Sequence, residues 1–174
     1  SHLEASPLPA ILANVREESG AYLKGTQPYM LFDRAGSRIA VLGVLTTGTP
    51  AITHPSASQL QWDDEAETLR HWRGELEGQA DWTLLLTHMG IEEDEKLVKK
   101  VPGFPILIGG HSHTLLHKGK RVGETWIAQA GSKGRGVGRI DVWIDPVTRQ
   151  PGEIQIQIVN LFEDTVEAGT AEQV

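Results

Sequence analysis

Three histidines each follow a continuous apolar segment and could bind a metal ion. His88 comes directly after "WTLLLT", and His111 and His113 come directly after "PILIGG". A neutral imidazole donates a lone pair to Zn²⁺, Mn²⁺, Fe or Ni, and histidine is the commonest such ligand in proteins. If the two segments are neighbouring parallel strands, their carboxyl ends meet at the sheet edge where α/β domains bind ligands. Since His111 and His113 are two positions apart, an extended segment would point both the same way.

The glycines beside these histidines fit the same interpretation. Gly90 follows His88, and the pair Gly109-Gly110 precedes His111, so the backbone can turn sharply next to bulky ligands. The alternative is that each histidine is a hydrogen-bonded polar residue at a strand end and binds nothing. The remaining four histidines are weaker candidates because they fall in a terminal segment, a loop, a helix and a polar turn: His2, His54, His71 and His117.

The surrounding segments predict an α/β fold with a layered sheet and flanking helices. Apolar runs, short glycine-bearing links and helical spacing give strand–helix–strand–helix–strand, followed by an antiparallel β-meander. The predicted strands cover 7–15, 28–33, 37–46, 81–87, 104–110, 125–131, 138–145 and 152–162, and the predicted helices cover 62–78 and 92–101.

Composition excludes several classes of protein. The chain has 174 residues, 39% of them hydrophobic, and a formal net charge of −7. An acidic chain is not expected to bind nucleic acid or an anionic membrane surface. No cysteine is present, which excludes disulfide scaffolds, thiolate zinc sites and cysteine nucleophiles. No apolar run approaches the about 18 residues of a membrane span.

Several of these segments, in their order along the chain, carry a resemblance to a known family. "LLLTHMG", "ILIGGHSH" and "IAQAGSKGRGVGRIDVWID" resemble the second half of the catalytic domain of 5′-nucleotidases, which are calcineurin-like metallophosphoesterases. The upstream segments "PAILANV" and "PYMLFDRAGSRIAVLGVLT" follow the family's order. The resemblance implies that residues 7–162 form half of an αββα sandwich. Residues 1–6 are then a terminal segment, and residues 163–174 an acidic tail or cut linker.

The resemblance also implies a chemistry. In this family two divalent ions, of Mn, Zn, Fe or Ca, clamp the phosphate oxygens and activate a bridging water for in-line attack. Carried over residue by residue, His88 and His111 would bind one metal and His113 the other. The implied substrate is a phosphoester, in particular a nucleotide, as in nucleotide catabolism. Family members are often exported to the periplasm or the cell exterior.

Half of the family's ligand set is absent from this sequence. No Asp-x-His, Gly-Asp or Gly-Asn-His-Glu/Asp motif occurs, so the carboxylate and asparagine ligands and the histidine that stabilises the transition state are missing. Three neutral histidines cannot offset the repulsion between two close cations. We therefore expect the chain alone to be inactive, to hold at most one ion, and to need the N-terminal half of the domain. Strands that lack their natural neighbours would favour self-association.

Two origins for such a chain remain open. It is either a piece of a longer enzyme, as the remnant-like Ser1-His2 and the abrupt acidic end suggest, or a natural chain whose other half comes from elsewhere. Two other functions also remain open. One is a catalytically inactive binding or assembly module of the same fold, and the other is a thiosulfohydrolase or cyclic phosphodiesterase. The glycine-rich segment 131–139 matches no phosphate-binding motif and is predicted to be a tight turn.

Overall fold

A six-stranded mixed sheet forms the centre of the molecule. The computed structural model describes residues 7–161, so the terminal segment 1–6, the last residue of the predicted strand 152–162 and the acidic tail 163–174 lie outside the described residues. The strands are β1 (Ala10–Ile11), β2 (Val15–Arg16), β3 (Thr26–Gln27), β4 (Tyr29–Arg34), β5 (Ser37–Leu45), β6 (Gln61–Trp62), β7 (Trp82–His88), β8 (Ile106–Ile108), β9 (Lys120–Val122), β10 (Thr125–Ala128), β11 (Gly136–Ile144) and β12 (Pro151–Asn160). The helices are α1 (Glu65–Glu75) and α2 (Ile91–Lys100).

The order of strands in the main sheet is β4-β5-β7-β8-β10-β9. Strands β5, β7, β8 and β10 are parallel, and the outer strands β4 and β9 are antiparallel to their neighbours. Helix α1 connects β5 to β7, and helix α2 connects β7 to β8. The carboxyl ends of β7 and β8 therefore lie side by side, which confirms the α/β fold and the predicted neighbourhood of the two strands.

Both helices begin with acidic residues near the positive end of the helix dipole. Asp64 precedes α1, and its carboxylate accepts a hydrogen bond of 2.9 Å from the backbone N–H of Glu67. The neighbouring Asp63 forms two hydrogen bonds, of 3.0 and 2.8 Å, with the guanidinium of Arg16. Helix α2 carries acidic residues in its first turn and Lys99 and Lys100 in its last. Asp63 and Asp64 thus have local partners at the beginning of α1.

Two apolar clusters stabilise the sheet on its two faces. The larger lies under the helices and consists of fully buried residues such as Leu42, Leu69, Leu85, Phe104 and Leu107. The smaller lies under the antiparallel β11–β12 hairpin and is formed by Ala128, Ile156 and Ile158, with Trp126, Ile140 and Ile154 packed against them. Of the C-terminal strands, β10 joins the main sheet, while β11 and β12 form a two-stranded sheet of their own.

The predicted strand over 7–15 is not continuous. It is divided into β1 and β2, and Asn14 lies between them, fully buried. The side chain of Asn14 accepts a hydrogen bond from Leu45 N (2.9 Å) and donates one to Leu45 O (2.7 Å). An asparagine side chain thus takes the place of a backbone partner at the end of β5, and the chain turns away from a regular strand.

Candidate metal centre

The two histidine segments meet at the carboxyl edge of the sheet. His88 is the last residue of β7, and His111 lies in the loop that follows β8. The ring centroids of His88 and His111 are 5.2 Å apart, with an interplanar angle of 73°. Both histidines are exposed to solvent, as is His113. Two exposed imidazoles in contact at a strand edge can share a bound ion, provided that their ring nitrogens converge on it.

Each of the two rings lies against a glycine of the other segment. A Cβ atom at Gly110 would lie 2.8 Å from Nδ1 of His88, closer than such contacts allow. A Cβ atom at Gly90 would lie 3.6 Å from Cδ2 of His111, and Gly90 has a φ of +92°, which favours glycine. Gly110 therefore has a steric role, because a side chain there would displace the ring of His88, whereas Gly90 is favoured by its backbone conformation.

The segment that holds His111 and His113 is not extended. The φ angles of these two residues are 76° and 57°, in the left-handed region that side chains other than glycine seldom adopt. The prediction that His111 and His113 point the same way from an extended segment is therefore wrong. The sharp turn that the sequence predicts at Gly109 and Gly110 occurs at His111 and His113 instead. The two glycines leave space for the side chains of Asp94 and His88. Such backbone strain at polar residues is concentrated at functional sites.

A buried carboxylate lies beneath this loop. Asp94 in helix α2 is fully buried, and neither of its oxygens has a hydrogen-bond partner among the described residues. Its Oδ2 lies so close to the position of a Cβ atom at residue 109 that any side chain there would force Asp94 to move. Burial raises the pKa of Asp94 to about 6. The nearby Thr87 hydroxyl acts in the opposite direction and lowers this pKa. That hydroxyl has no hydrogen bond of normal geometry among the described residues.

Asp94 is not among the site residues predicted from the sequence. A signal was nevertheless present in the helical spacing. Asp94 is three positions from Ile91 and three from Leu97, and residues so spaced share one face of a helix. That face is the apolar one, since Leu97 and Val98 are buried.

The donors present fit part of a metal site and not a complete one. Within residues 7–161, no three histidine, aspartate or glutamate side chains converge as one metal site. A structural zinc site needs four ligands and a catalytic one needs three from the protein. The imidazoles of His88 and His111 can supply two, and His113 is not grouped with them. This arrangement is compatible with two ions that take different histidines, but it leaves most ligands to be supplied from elsewhere.

Within residues 7–161, the other histidine candidates lie away from this edge or have local partners, and His2 lies outside the described residues. The Nδ1 atom of His54 accepts a hydrogen bond of 3.2 Å from Ser56 N, and His71 packs edge-on against Trp72, 5.1 Å between centroids. Much of the glycine-rich segment 131–139 is strand, because β11 begins at Gly136, and a turn precedes it in which Arg135 N donates to Ser132 O.

Comparison with known proteins supports the family resemblance. The chain is 32% identical over 193 residues to the trifunctional nucleotide phosphoesterase YfkN of Bacillus subtilis. This alignment covers 98% of this chain and 13% of YfkN. It is 29% identical over 163 residues to the uncharacterized metallophosphoesterase YunD of the same organism, with 92% of this chain and 34% of YunD aligned. This chain thus spans at most about a third of the length of these two relatives. No family model matches the sequence.

Solved structures share the fold. A 5′-nucleotidase precursor from Thermus thermophilus superposes with a TM-score of 0.80 and 25% identity, over 91% of this chain and 34% of that one. The sulfate thiohydrolase SoxB from Thermus thermophilus superposes with a TM-score of 0.74 and 22% identity, over 91% of this chain and 30% of that one, and shows the fold alone. No helix among the described residues is long and apolar enough to cross a membrane. The relatives and structural neighbours of this chain are thus 5′-nucleotidase-like, calcineurin-type metallophosphoesterases, and the chain has their fold.

Proposed function

We propose that this chain supplies the histidine half of a two-metal site that hydrolyses phosphoesters. The observation that carries the proposal is the contact between the rings of His88 and His111 at the carboxyl edge of β7 and β8. The relatives add the reaction class, because their names include nucleotide phosphoesterase, metallophosphoesterase and 5′-nucleotidase. We propose a nucleotide as the substrate on the same grounds.

In this proposal His88 and His111 bind one divalent ion and His113 binds a second. When bound, the two ions would polarise the phosphate oxygens and lower the pKa of a water molecule. The three imidazoles must be neutral to donate their lone pairs, and they bring no negative charge. The ligands that offset the charge of the two cations must therefore come from outside this chain. On its own, the chain would hold at most one ion and would not turn over substrate.

An apolar groove beside His88 supports the idea that a further segment packs at this edge. The groove has a volume of about 270 Å³. Its polar lining consists of Thr26, Thr87 and His88. The rest of the lining is apolar: Ala10, Ile11, Leu12, Val44, Leu45 and Leu86. We propose that the N-terminal half of the domain, which carries the carboxylate ligands in the family, covers this groove. We also propose export from the cell, since one solved relative is named as a precursor.

Reconstitution tests this function. The chain is produced together with the segment that precedes it in its natural gene, Mn²⁺ or Zn²⁺ is added, and hydrolysis of an aryl phosphate and of AMP is measured. We expect turnover that depends on the metal and falls by at least about 100-fold in His111→Ala, because that variant loses a metal ligand. The matched control is His117→Ala, an exposed histidine outside the site, which should leave turnover unchanged.

The competing function is a catalytically inactive assembly module of the same fold. A folded complex that contains no stoichiometric metal and has no activity on either phosphoester would support that module and overturn the hydrolase. Equal activity of His111→Ala and the unsubstituted complex would likewise overturn the histidine half of the site.

A further inference from the structure

Ser112 lies between two candidate ligands whose backbone is strained. His111 and His113 both have positive φ angles, of 76° and 57°. A residue other than glycine keeps such a conformation only when its surroundings hold it there. The loop that carries these histidines must therefore be fixed by contacts outside the histidines themselves.

The hydroxyl of Ser112 makes these contacts in three directions. Its Oγ accepts a hydrogen bond from the backbone N–H of Ile91 at 3.1 Å and donates one to Oε1 of Gln129 at 3.0 Å. It also lies 2.9 Å from Oγ1 of Thr114. Because the single proton of Ser112 is donated to Gln129, the Thr114 hydroxyl must be the donor in the third bond. The oxygen thus uses both of its acceptor positions and its one donor.

The partners of Ser112 belong to the two elements that the site must hold together. Ile91 is the first residue of α2, which begins three positions after His88. Gln129 directly follows β10, is only 2% exposed, and its carbonyl accepts a hydrogen bond of 3.0 Å from Leu116 N. One hydroxyl therefore ties the loop of His111 both to the segment that follows His88 and to the buried end of a neighbouring strand.

Packing around Gly90 reinforces the same link. A Cβ atom at Gly90 would lie 3.5 Å from Cβ of Ser112 and 3.6 Å from Cδ2 of His111. The backbone after His88 thus runs directly alongside the segment of Ser112 and His111. A change in the position of Ser112 would alter the separation of the two imidazoles.

We infer that Ser112 is a positioning residue for the metal-binding histidines. Its hydroxyl holds His111 and His113 in their left-handed conformation and sets the distance between His111 and His88. The protein then presents these imidazoles to the metal in a fixed arrangement, so less order must be imposed when the ion binds. This inference rests on the proposed function, since it takes the three histidines as ligands.

The test compares Ser112→Ala with Ser112→Thr in the reconstituted complex. Metal affinity is measured by calorimetry with Zn²⁺, and ligand geometry by the visible absorption of bound Co²⁺, so neither readout needs turnover. We expect Ser112→Ala to bind Zn²⁺ about 10- to 100-fold more weakly, the range for residues that orient metal ligands. Ser112→Thr keeps the hydroxyl and should restore both the affinity and the Co²⁺ spectrum.

Ser56→Ala is the matched control, because Ser56 also contacts a histidine, His54, away from the site.

A lower melting temperature of Ser112→Ala with unchanged Zn²⁺ affinity would show a merely structural role and overturn the inference while the proposed function stands. If Ser112→Ala does not fold, Gln129→Met removes the same hydrogen bond from the other side, and unchanged affinity there would overturn it equally. No metal binding by the unsubstituted complex would overturn both proposals.

Discussion

The contact between the rings of His88 and His111 depends on glycine at position 110. At Gly110 an added Cβ atom would meet Nδ1 of His88 at 2.8 Å, a distance that side chains do not tolerate. The His88 ring would have to rotate or the loop would have to retreat. Either movement separates the two imidazoles, so the geometry of the pair is set by residues that carry no chemistry of their own.

Gly110→Ala should therefore weaken metal binding by the reconstituted complex. We expect a loss of about tenfold in Zn²⁺ affinity, because the proposed ligands would be displaced while their chemistry is kept. The matched control is Gly74→Ala in helix α1, where nothing lies within 4 Å of the added atom. That variant should keep the Zn²⁺ affinity and stabilise the fold by about 0.5–1 kcal/mol, since alanine is the better helix former. Unchanged affinity in Gly110→Ala would contradict the steric argument.

Asp94 should make the stability of the chain depend on pH. Its pKa in the folded chain is about 6, above the value of 3.8 for the free side chain. Between these two pH values the folded state binds more protons than the unfolded state, so the free energy of unfolding falls as the pH rises. At 1.36 kcal/mol per pKa unit, the loss amounts to about 3 kcal/mol and is complete above about pH 7.

Urea unfolding of the chain at pH 4.5 and pH 7.5 measures this effect against Asp94→Asn, which has nearly the same shape and does not titrate. We expect the unsubstituted chain to lose stability relative to Asp94→Asn as the pH rises. A constant difference between the two proteins across this range would mean that Asp94 is not held in a desolvated site.

At the scale of secondary-structure elements, the sequence predicts most of what positions the site. Apolar runs located β5 and β7, and helical spacing located α1, because burial imposes a period on side chains. The interruption at Asn14 was not predictable, since it depends on a hydrogen bond to Leu45, far along the chain. The left-handed conformation of His111 and His113 was hidden as well, because the loop that contains them contacts residues far along the chain, Ile91 and Gln129.

Asp64 sets the beginning of α1 and should contribute to its stability. Its carboxylate accepts a hydrogen bond from Glu67 N, which otherwise has no partner in the first turn of the helix. Asp64→Ala should lower the free energy of unfolding by about 1 kcal/mol, whereas Asp64→Asn retains an acceptor and should lose less. Thermal unfolding followed by circular dichroism measures both. Equal stability of Asp64→Ala and the unsubstituted chain would contradict the capping role.

At the scale of the whole molecule, the main sheet has apolar surface at its edge. Strand β4 has a neighbour only on the side of β5 among the described residues, and its Leu31 is 39% exposed. The opposite edge strand, β9, is short and carries Lys120 and Arg121, which discourage strand pairing. The net charge of −7 opposes association only weakly at physiological salt, because surface charges are screened.

Self-association of the isolated chain should therefore proceed through β4. Leu31→Lys places a charge on this edge and should lower the dimer fraction in sedimentation velocity experiments. Val147→Lys is the control, because Val147 is 86% exposed but lies in the turn between β11 and β12, outside the sheet edge. If both variants associate as the unsubstituted chain does, another surface mediates the contact.

The most direct measurement on the whole molecule is anomalous diffraction from crystals of the reconstituted complex grown with Zn²⁺. We expect two peaks about 3.5–4 Å apart, the spacing of two-metal sites. One should lie about 2.0–2.1 Å from a ring nitrogen of both His88 and His111, and the other at the same distance from His113. A folded complex with no peak beside His88 and His111 would contradict the assignment of this chain as the histidine half of the site.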